Sequence, residues 1–379
     1  MRQRHHRAAC ESAHHQLLPT LPAGDAAEKL TPGGKAMTRF MYVSLQREDR
    51  IAQYVVDPDT GALEHQADYA LAGMPAPLAA DPQRRFLFAG RRLPGEFGLS
   101  GFRIRPNDGS LEPVNHVPLG GDPVHISVDR SGRYLMSAYY YQARVAVHGF
   151  DGEGVLEASP IEWRETGTGA HYIQTDPSNR FAFVPHIAEG NHTGANAIFQ
   201  FRFDQESGRL SPNEPDRVIP NAPEGPRHFC FNPNLNVLYS SNEQGCSVSA
   251  YRFDPEAGLL TPFQTVPTLP DGYDGPNSCS QIQITPDGRF LYAPNRGHNS
   301  IAAFAVDQAD GSLTARGQTD TEPIPRAFSL DSSGSFLYAS GLDSGNLAAY
   351  HIDRDNGHLE PLATYPVGQG PMWVLIIDL

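Results

Sequence analysis

Cysteine, positive charge and long apolar runs are all scarce in this chain. Its four cysteines (Cys10, Cys230, Cys246 and Cys279) form no C-x-x-C pair and no zinc-like spacing. That excludes a disulfide framework or a zinc finger and reads as buried free thiols, three of them near repeat cores. A formal net charge of −14 argues against a nonspecific nucleic-acid binder, whose affinity needs a basic face. No window approaches 18 consecutive apolar residues, so the sequence offers no membrane span. A G-x-S-x-G elbow, a Walker loop, H-E-x-x-H and an EF-hand loop are all missing. Trp163 precedes Arg and Trp373 precedes Val, so the Trp-Asp pairs of a WD scaffold are missing too. Helical 3.6 periodicity is also absent.

What the chain has is repetition. "DPDTGALE" at 57–64 returns as "RPNDGSLE", "DGEGVLE", "DQESGRLS", "DPEAGLLT", "DQADGSLT" and "DRDNGHLE". The shared Gly-x-Leu places glycine at 61, 109, 154, 208, 258, 311 and 357, in steps of 48, 45, 54, 50, 53 and 46 residues. Before each lies an alternating apolar and aromatic strand such as "AIFQFRFD", which predicts a hairpin with the glycine at φ > 0 and the leucine re-entering the core. A second phrase, "DPQRRFLFAG", "DRSGRYLMSA", "DPSNRFAFVP", "NPNLNVLYSS", "TPDGRFLYAP" and "DSSGSFLYAS", runs in step with the first. Each unit therefore reads strand, turn, strand, loop, strand, turn, strand, which is a propeller blade.

The chain ends complete the pattern. "RFMYVSLQ" (39–46) matches a second strand with no first, and "MWVLIIDL" (372–379) is a first strand with no second. Joined, they close the ring and remove open sheet edges. The fold class expected is all-β, a seven-bladed β-propeller of four-stranded blades over 37–379. Residues 1–36 read as a disordered N-terminal extension with no 7 to 15 residue apolar stretch of a secretory signal, so a cytoplasmic protein is expected. Within it, His5/His6 and His14/His15 are better explained by a polar tail than by metal. Asn191 fits a glycosylation sequon that a cytoplasmic chain would leave idle.

Chemistry should gather where innermost strands begin and second strands end, because both converge on one mouth of the channel. The strand starts supply His125, His171, Arg227, His228, Arg326 and Trp373; the loops supply Asn242, Glu243, Asn295, Arg296 and His298. Taken singly, a histidine at a strand start is more often a buried hydrogen-bonding residue than a catalyst, and an arginine as often pairs with a neighbouring blade. Their shared location favours function. Guanidinium groups bind small anions in bidentate fashion, and His and Glu can move protons near neutral pH. The task expected is hydrolytic or proton-transfer chemistry on a small anion.

At "EGPRHFCFNPN", "SSNEQGCSVSAYRFD", "ITPDGRFLYAPNRG" and "YPVGQGPMWV" the chain resembles the propeller-type lactonase family, which includes bacterial 6-phosphogluconolactonase and the fungal 3-carboxy-cis,cis-muconate lactonizing enzyme. The resemblance runs from about Met37 to Leu379. It implies a catalytic set falling on His171, Arg227, Glu243 and Arg296; from their place at the same mouth, His125, His228, Asn242, Asn295, Arg326 and Trp373 are expected as substrate-binding neighbours. It also implies hydrolysis of a small anionic sugar-acid lactone, with Glu243 or His171 as the base, by a monomer or small homo-oligomer with no nucleic-acid or membrane partner. The alternatives are a muconate-type lactonizing cycloisomerase and a non-catalytic propeller that binds a partner protein. No cofactor is expected, although His171, His228 and Glu243 are ligand types that zinc accepts. Two departures, "AYYYQARV" (138–145) and the enlarged "PHIAEGNHTGAN" loop (185–196) with His186 and His192, bear on the substrate more than on the lactone chemistry.

Overall fold

The structure, a computed structural model, describes residues 37–188 and 194–379. The expectations for residues 1–36, with Cys10 and the histidine pairs, and for Asn191 and His192 lie outside the described residues. Among the described residues there is no helix; the chain runs through seven antiparallel sheets, one per repeat. Blade five is representative. Its strands Pro226–Phe231, Val237–Asn242, Ser247–Asp254 and Leu259–Pro267 pair in sequence order.

Burial follows position in the blade. Second strands are covered on both faces by neighbouring blades, so Arg39–Leu45 and Tyr134–Tyr139 are buried throughout and read as near-continuous apolar runs. Fourth strands face water, and Leu63–Ala70 has no fully buried residue. Each of the seven junctions between adjacent blades holds its own apolar cluster; Phe40, Tyr42 and Ile51 of the first blade pack on Leu78, Leu87 and Phe102 of the second. Phe40 and Tyr42 meet one neighbour while Met41, Val43 and Leu45 meet the other, as a side-chain period of two requires.

The repeated glycine locks one blade to the next. All seven Gly-x-Leu glycines have positive φ, between 66° and 82°. A Cβ at six of them would run into an aromatic side chain that opens or follows the opening of the second strand one blade back: Gly61 into Phe336, Gly109 into Phe40, Gly154 into Phe86, Gly208 into Tyr134, Gly258 into Phe181 and Gly357 into Phe290. At Gly311 the neighbours are Val237 and Tyr239. Tyrosine hydroxyls then donate to the glycine carbonyls, Tyr239 to Gly311, Tyr292 to Gly357 and Tyr338 to Gly61, each at 2.8 Å.

The ring closes as expected. Pro371–Asp378 is the innermost strand of the first blade and pairs with Arg39–Leu45. Arg39 clasps the seam, its Nε donating to Asp378 at 2.8 Å and its Nη1 reaching Asp331 of the last blade. Two inner strands depart from the pattern. Blade four keeps only Gln174–Thr175, and blade six is split into Ser278–Cys279 and Gln283–Ile284. Both interruptions fall beside the channel mouth.

Candidate active site

Five of the seven inner strands begin with proline, Pro75, Pro123, Pro226, Pro325 and Pro371. A first residue that owes no ladder hydrogen bond tolerates proline. The next residue projects into a small cavity: Ala76, Val124, Arg227, Arg326 and Met372 all line it, joined by His171 from blade four. The repeat thus presents one side chain per blade to a common space, and blades four, five and seven make it cationic and basic. His228, Gln281 and Trp373 line it too, and also line a second recess of about 550 Å³.

Glu243 and Arg296, from the loops after second strands, meet Arg227 at this end. Arg227 Nε donates to Glu243 Oε2 at 2.6 Å, Arg296 Nη2 lies 3.1 Å from Glu243 Oε1, and Arg296 Nη2 also donates to the Cys279 carbonyl at 2.6 Å. Both carboxylate oxygens are therefore held by guanidinium groups. Burial acts to raise the Glu243 carboxyl, but Arg227, Arg296 and Arg326 outweigh it and keep it below its ordinary value. Arg227 is pushed down to about 10 by burial and then by Arg296, so it stays charged near neutrality. Arg326 is held well below its usual value by burial and by Arg227. Among the described residues Arg326 has no ion-pair partner within 4 Å. Three guanidiniums against one carboxylate leave the mouth with uncompensated positive charge.

Burial, followed by Arg227, Arg326, Arg296 and Arg92, holds His171 well below the ordinary imidazole value, so its ring is neutral at pH 7. Among the described residues its Nδ1 has no hydrogen-bond partner, nor have Arg227 Nη1, Arg296 Nε and His228 Nε2. Unpaired buried polar atoms are costly, and three of these four belong to residues that line the cavity, His171, Arg227 and His228, where a ligand can satisfy them. His228, its ring 5.3 Å from that of His171, is lowered for the same reasons. His125 stacks on Tyr172 at 3.8 Å, accepts from Ile173 N at 3.3 Å and is pushed down to about 3 by burial and Arg227. It supports the rings that line the cavity and is not among the lining residues.

The four residues expected as catalytic are thus brought to one mouth, with His228, Arg326 and Trp373 beside them. Asn242 and Asn295 are not. Both are fully buried and turned into their own blades, Asn242 donating to Ser247 and Ser249 and Asn295 to Thr268 and Ser300. Each precedes the residue that reaches the mouth, and neighbours along an extended chain point to opposite faces. His186 is equally structural, bonded to Val184 O and Thr166 Oγ1, and His298 binds Ser300 Oγ at 2.8 Å. Of the thiols, Cys279 is buried while Cys230 and Cys246 are only partly so.

Arg92 is a cavity residue that the sequence reading missed. It is bound in bidentate fashion to Asp122, at 2.6 Å on both sides. The signal was available: aligning "LFAGRR" on "LYSSNE" and "LYAPNR" places Arg92 on the positions of Glu243 and Arg296. No group of three or more His, Cys, Asp or Glu side chains among the described residues is arranged to hold a metal ion. No helix among them is long and apolar enough to cross a membrane.

Comparison with known proteins agrees with this fold. The chain is 35% identical over 341 residues to the 6-phosphogluconolactonase of Serratia proteamaculans, covering 90% of this chain and 99% of the relative. It is 34% identical over 340 residues to that of Yersinia pestis, covering 90% and 98%. Among solved structures, the periplasmic gluconolactonase of Pseudomonas aeruginosa superposes with a TM-score of 0.80 at 24% identity, over 90% of this chain and 99% of that one. A Lactobacillus plantarum protein gives the same TM-score, identity and coverage. The family model described as "Lactonase, 7-bladed beta-propeller" matches residues 36–376, and the chain belongs to that family.

Proposed function

We propose that the protein hydrolyses 6-phosphogluconolactone or a closely related anionic sugar-acid lactone, in the cytoplasm and without a metal. The observation that carries the reading is the neutral His171, its Nδ1 without a partner among the described residues, lining the same cavity as Arg326, a cation with no counter-ion among them. His171 is the better base, because Glu243 has both oxygens on guanidinium groups and serves to orient Arg227 and Arg296. The same occupancy leaves Glu243 unfit as a metal ligand.

In the mechanism His171 takes a proton from water as the water oxygen adds to the ester carbonyl. The free Arg227 Nη1 binds the oxyanion that forms. Such a donor contributes about 3 kcal/mol to lowering the barrier. The tetrahedral intermediate then expels the ring oxygen, which takes the proton back from His171 and becomes a hydroxyl of the same molecule; the single open-chain hydroxy acid releases its carboxyl proton to solvent and departs as the carboxylate. The positive excess at Arg326 suits a second acidic group such as a phosphate. A bound dianion would offset the guanidinium charges that depress His171 and so raise its basicity when substrate is present. The lactonizing and partner-binding alternatives draw no support from the relatives named above.

The test is turnover of 6-phosphogluconolactone and of unphosphorylated gluconolactone side by side. Higher kcat/KM for the phosphorylated compound is expected. Equal values would remove the phosphate from the proposal, and no hydrolysis of either would overturn it.

A further inference from the structure

Behind Glu243 and Arg296 lies a pair of thiols for which hydrolysis has no use. Cys246 follows Glu243 by three residues on the loop of blade five, while Cys279 sits on the split inner strand of blade six. Asn277 Nδ2 lies 3.3 Å from Cys246 Sγ and donates at 3.1 Å to Asn295 Oδ1, an oxygen that the Cys279 thiol also approaches at 3.6 Å. Thr268 Oγ1 is 3.3 Å from Cys279 Sγ and donates to the Cys246 carbonyl at 2.8 Å. Cys246 Sγ also lies 3.5 Å from the Asn277 carbonyl and 4.0 Å from the Glu243 carbonyl, the oxygen to which Cys279 N donates at 3.2 Å.

The two sulfurs differ in the way an attacking and a resolving thiol differ. Cys246 is partly exposed and Cys279 is fully buried. The neighbouring Cys279 thiol, helped by the Asn277 amide and the charge of Arg296, outweighs burial and keeps the Cys246 thiol below its ordinary value. The same pairing, with burial, pushes Cys279 up. A partly exposed thiol whose ionisation is favoured is the attacking group; the buried, protonated partner resolves.

We propose that Cys246 and Cys279 are a peroxide-sensitive dithiol whose oxidation to a disulfide disables the neighbouring site. The effect on rate rests on the hydrolase reading above; the cross-link does not. The Cys246 thiolate attacks one oxygen of hydrogen peroxide, the O–O bond breaks, hydroxide leaves and the sulfur becomes a sulfenic acid. The Cys279 sulfur then attacks it, the S–S bond forms, the S–O bond breaks and the oxygen leaves as water with the Cys279 proton. Counting the proton that hydroxide takes up, one peroxide is reduced to two waters and two thiols are oxidised to one disulfide.

Coupling to the site runs through two short backbone links. The Cys279 carbonyl accepts from Arg296 Nη2 at 2.6 Å, and Cys279 N donates to the Glu243 carbonyl at 3.2 Å. Contracting the sulfurs to a bond of about 2.05 Å draws these loops together and displaces the carboxylate that orients both guanidiniums. Displacements of about 1 Å near a reacting centre can cost as much as a hundredfold in rate.

The experiment treats the full-length protein with hydrogen peroxide and follows intact mass, peptide map and lactone hydrolysis together. Expected are loss of two hydrogen atoms, a linked pair of peptides carrying residues 246 and 279, a fall in activity of about tenfold to a hundredfold, and recovery of all three with dithiothreitol. C279S should instead yield a dimedone-trappable sulfenic acid at Cys246, and C246S should neither cross-link nor lose activity to peroxide. Absence of the linked peptide would overturn the proposal, as would a linked protein that retains full activity. A protein that cross-links but hydrolyses no lactone before oxidation would sink the hydrolase reading and leave the dithiol standing.

Discussion

The outer turns and the inner mouth of the ring obey opposite rules. The outer glycine is the same residue in all seven blades, with nearly the same φ, and in six of the seven lies against an aromatic ring of the blade before it. The inner position that lines the cavity is Ala76, Val124, His171, Arg227, Arg326 or Met372 according to the blade. Where every repeat repeats, the residue solves a packing problem common to all blades. Where the repeats diverge, the seven-fold scaffold has been used to bring unlike groups together. Substitutions at the two radii should therefore separate stability from activity.

The largest effect is expected at the mouth. H171A should lower kcat about a thousandfold, with an unchanged melting temperature by calorimetry. A comparable activity loss in E243A should come with some destabilisation, because Arg227 and Arg296 would be left as buried like charges. Equal turnover in either variant would remove that residue from the mechanism. Next is the rim: G258A places a side chain at φ +71 and against the Phe181 ring. It should cost about 2–3 kcal/mol in denaturant unfolding while leaving kcat per folded molecule intact. A drop in kcat there would break the comparison.

Smaller effects sharpen it further. R326M should raise KM for the phosphorylated lactone about ten- to a hundredfold, as expected for a charge-assisted contact, and leave the unphosphorylated substrate almost unaffected. The pH profile provides a sign. His171 acts in its neutral form, and burial with the neighbouring guanidiniums keeps it neutral to below its ordinary value. kcat/KM should thus stay flat down through pH 6.5 and fall only at more acid pH. A fall centred above 6.5 would show that His171 is not so depressed or is not the base. Incubation with EDTA should change nothing; lost activity restored by a divalent cation would reinstate a metal.

Much of this was legible in the chain because it is written locally. The Asp-to-Gly turns, the alternating third strands and the orphan strands at 39–46 and 372–379 each state a blade element within ten residues, and seven restatements fix the ring. Arg227, Glu243, Arg296 and His171 were legible from their place in the repeat and from the resemblance. Asn242 and Asn295 were not read correctly as to facing, since a one-residue step along a strand reverses the side chain. Arg92 was passed over because its blade has no Asn before the functional position, although the register of the repeat contains it.

The sequence by itself determined the blade count, the closure and the end of the disc to which His171, Arg227, Glu243 and Arg296 come, because burial period and turn conformation depend on neighbours a few residues away. Only the tertiary structure decided which cations are neutralised: Arg92 by Asp122, Arg227 and Arg296 by one shared Glu243, and Arg326 by no carboxylate among the described residues. It also decided that Cys246 and Cys279 share hydrogen-bonding neighbours across two blades. Charge and thiol chemistry depend on distances of a few ångströms between residues far apart in the chain, and those distances exist only once the ring has closed.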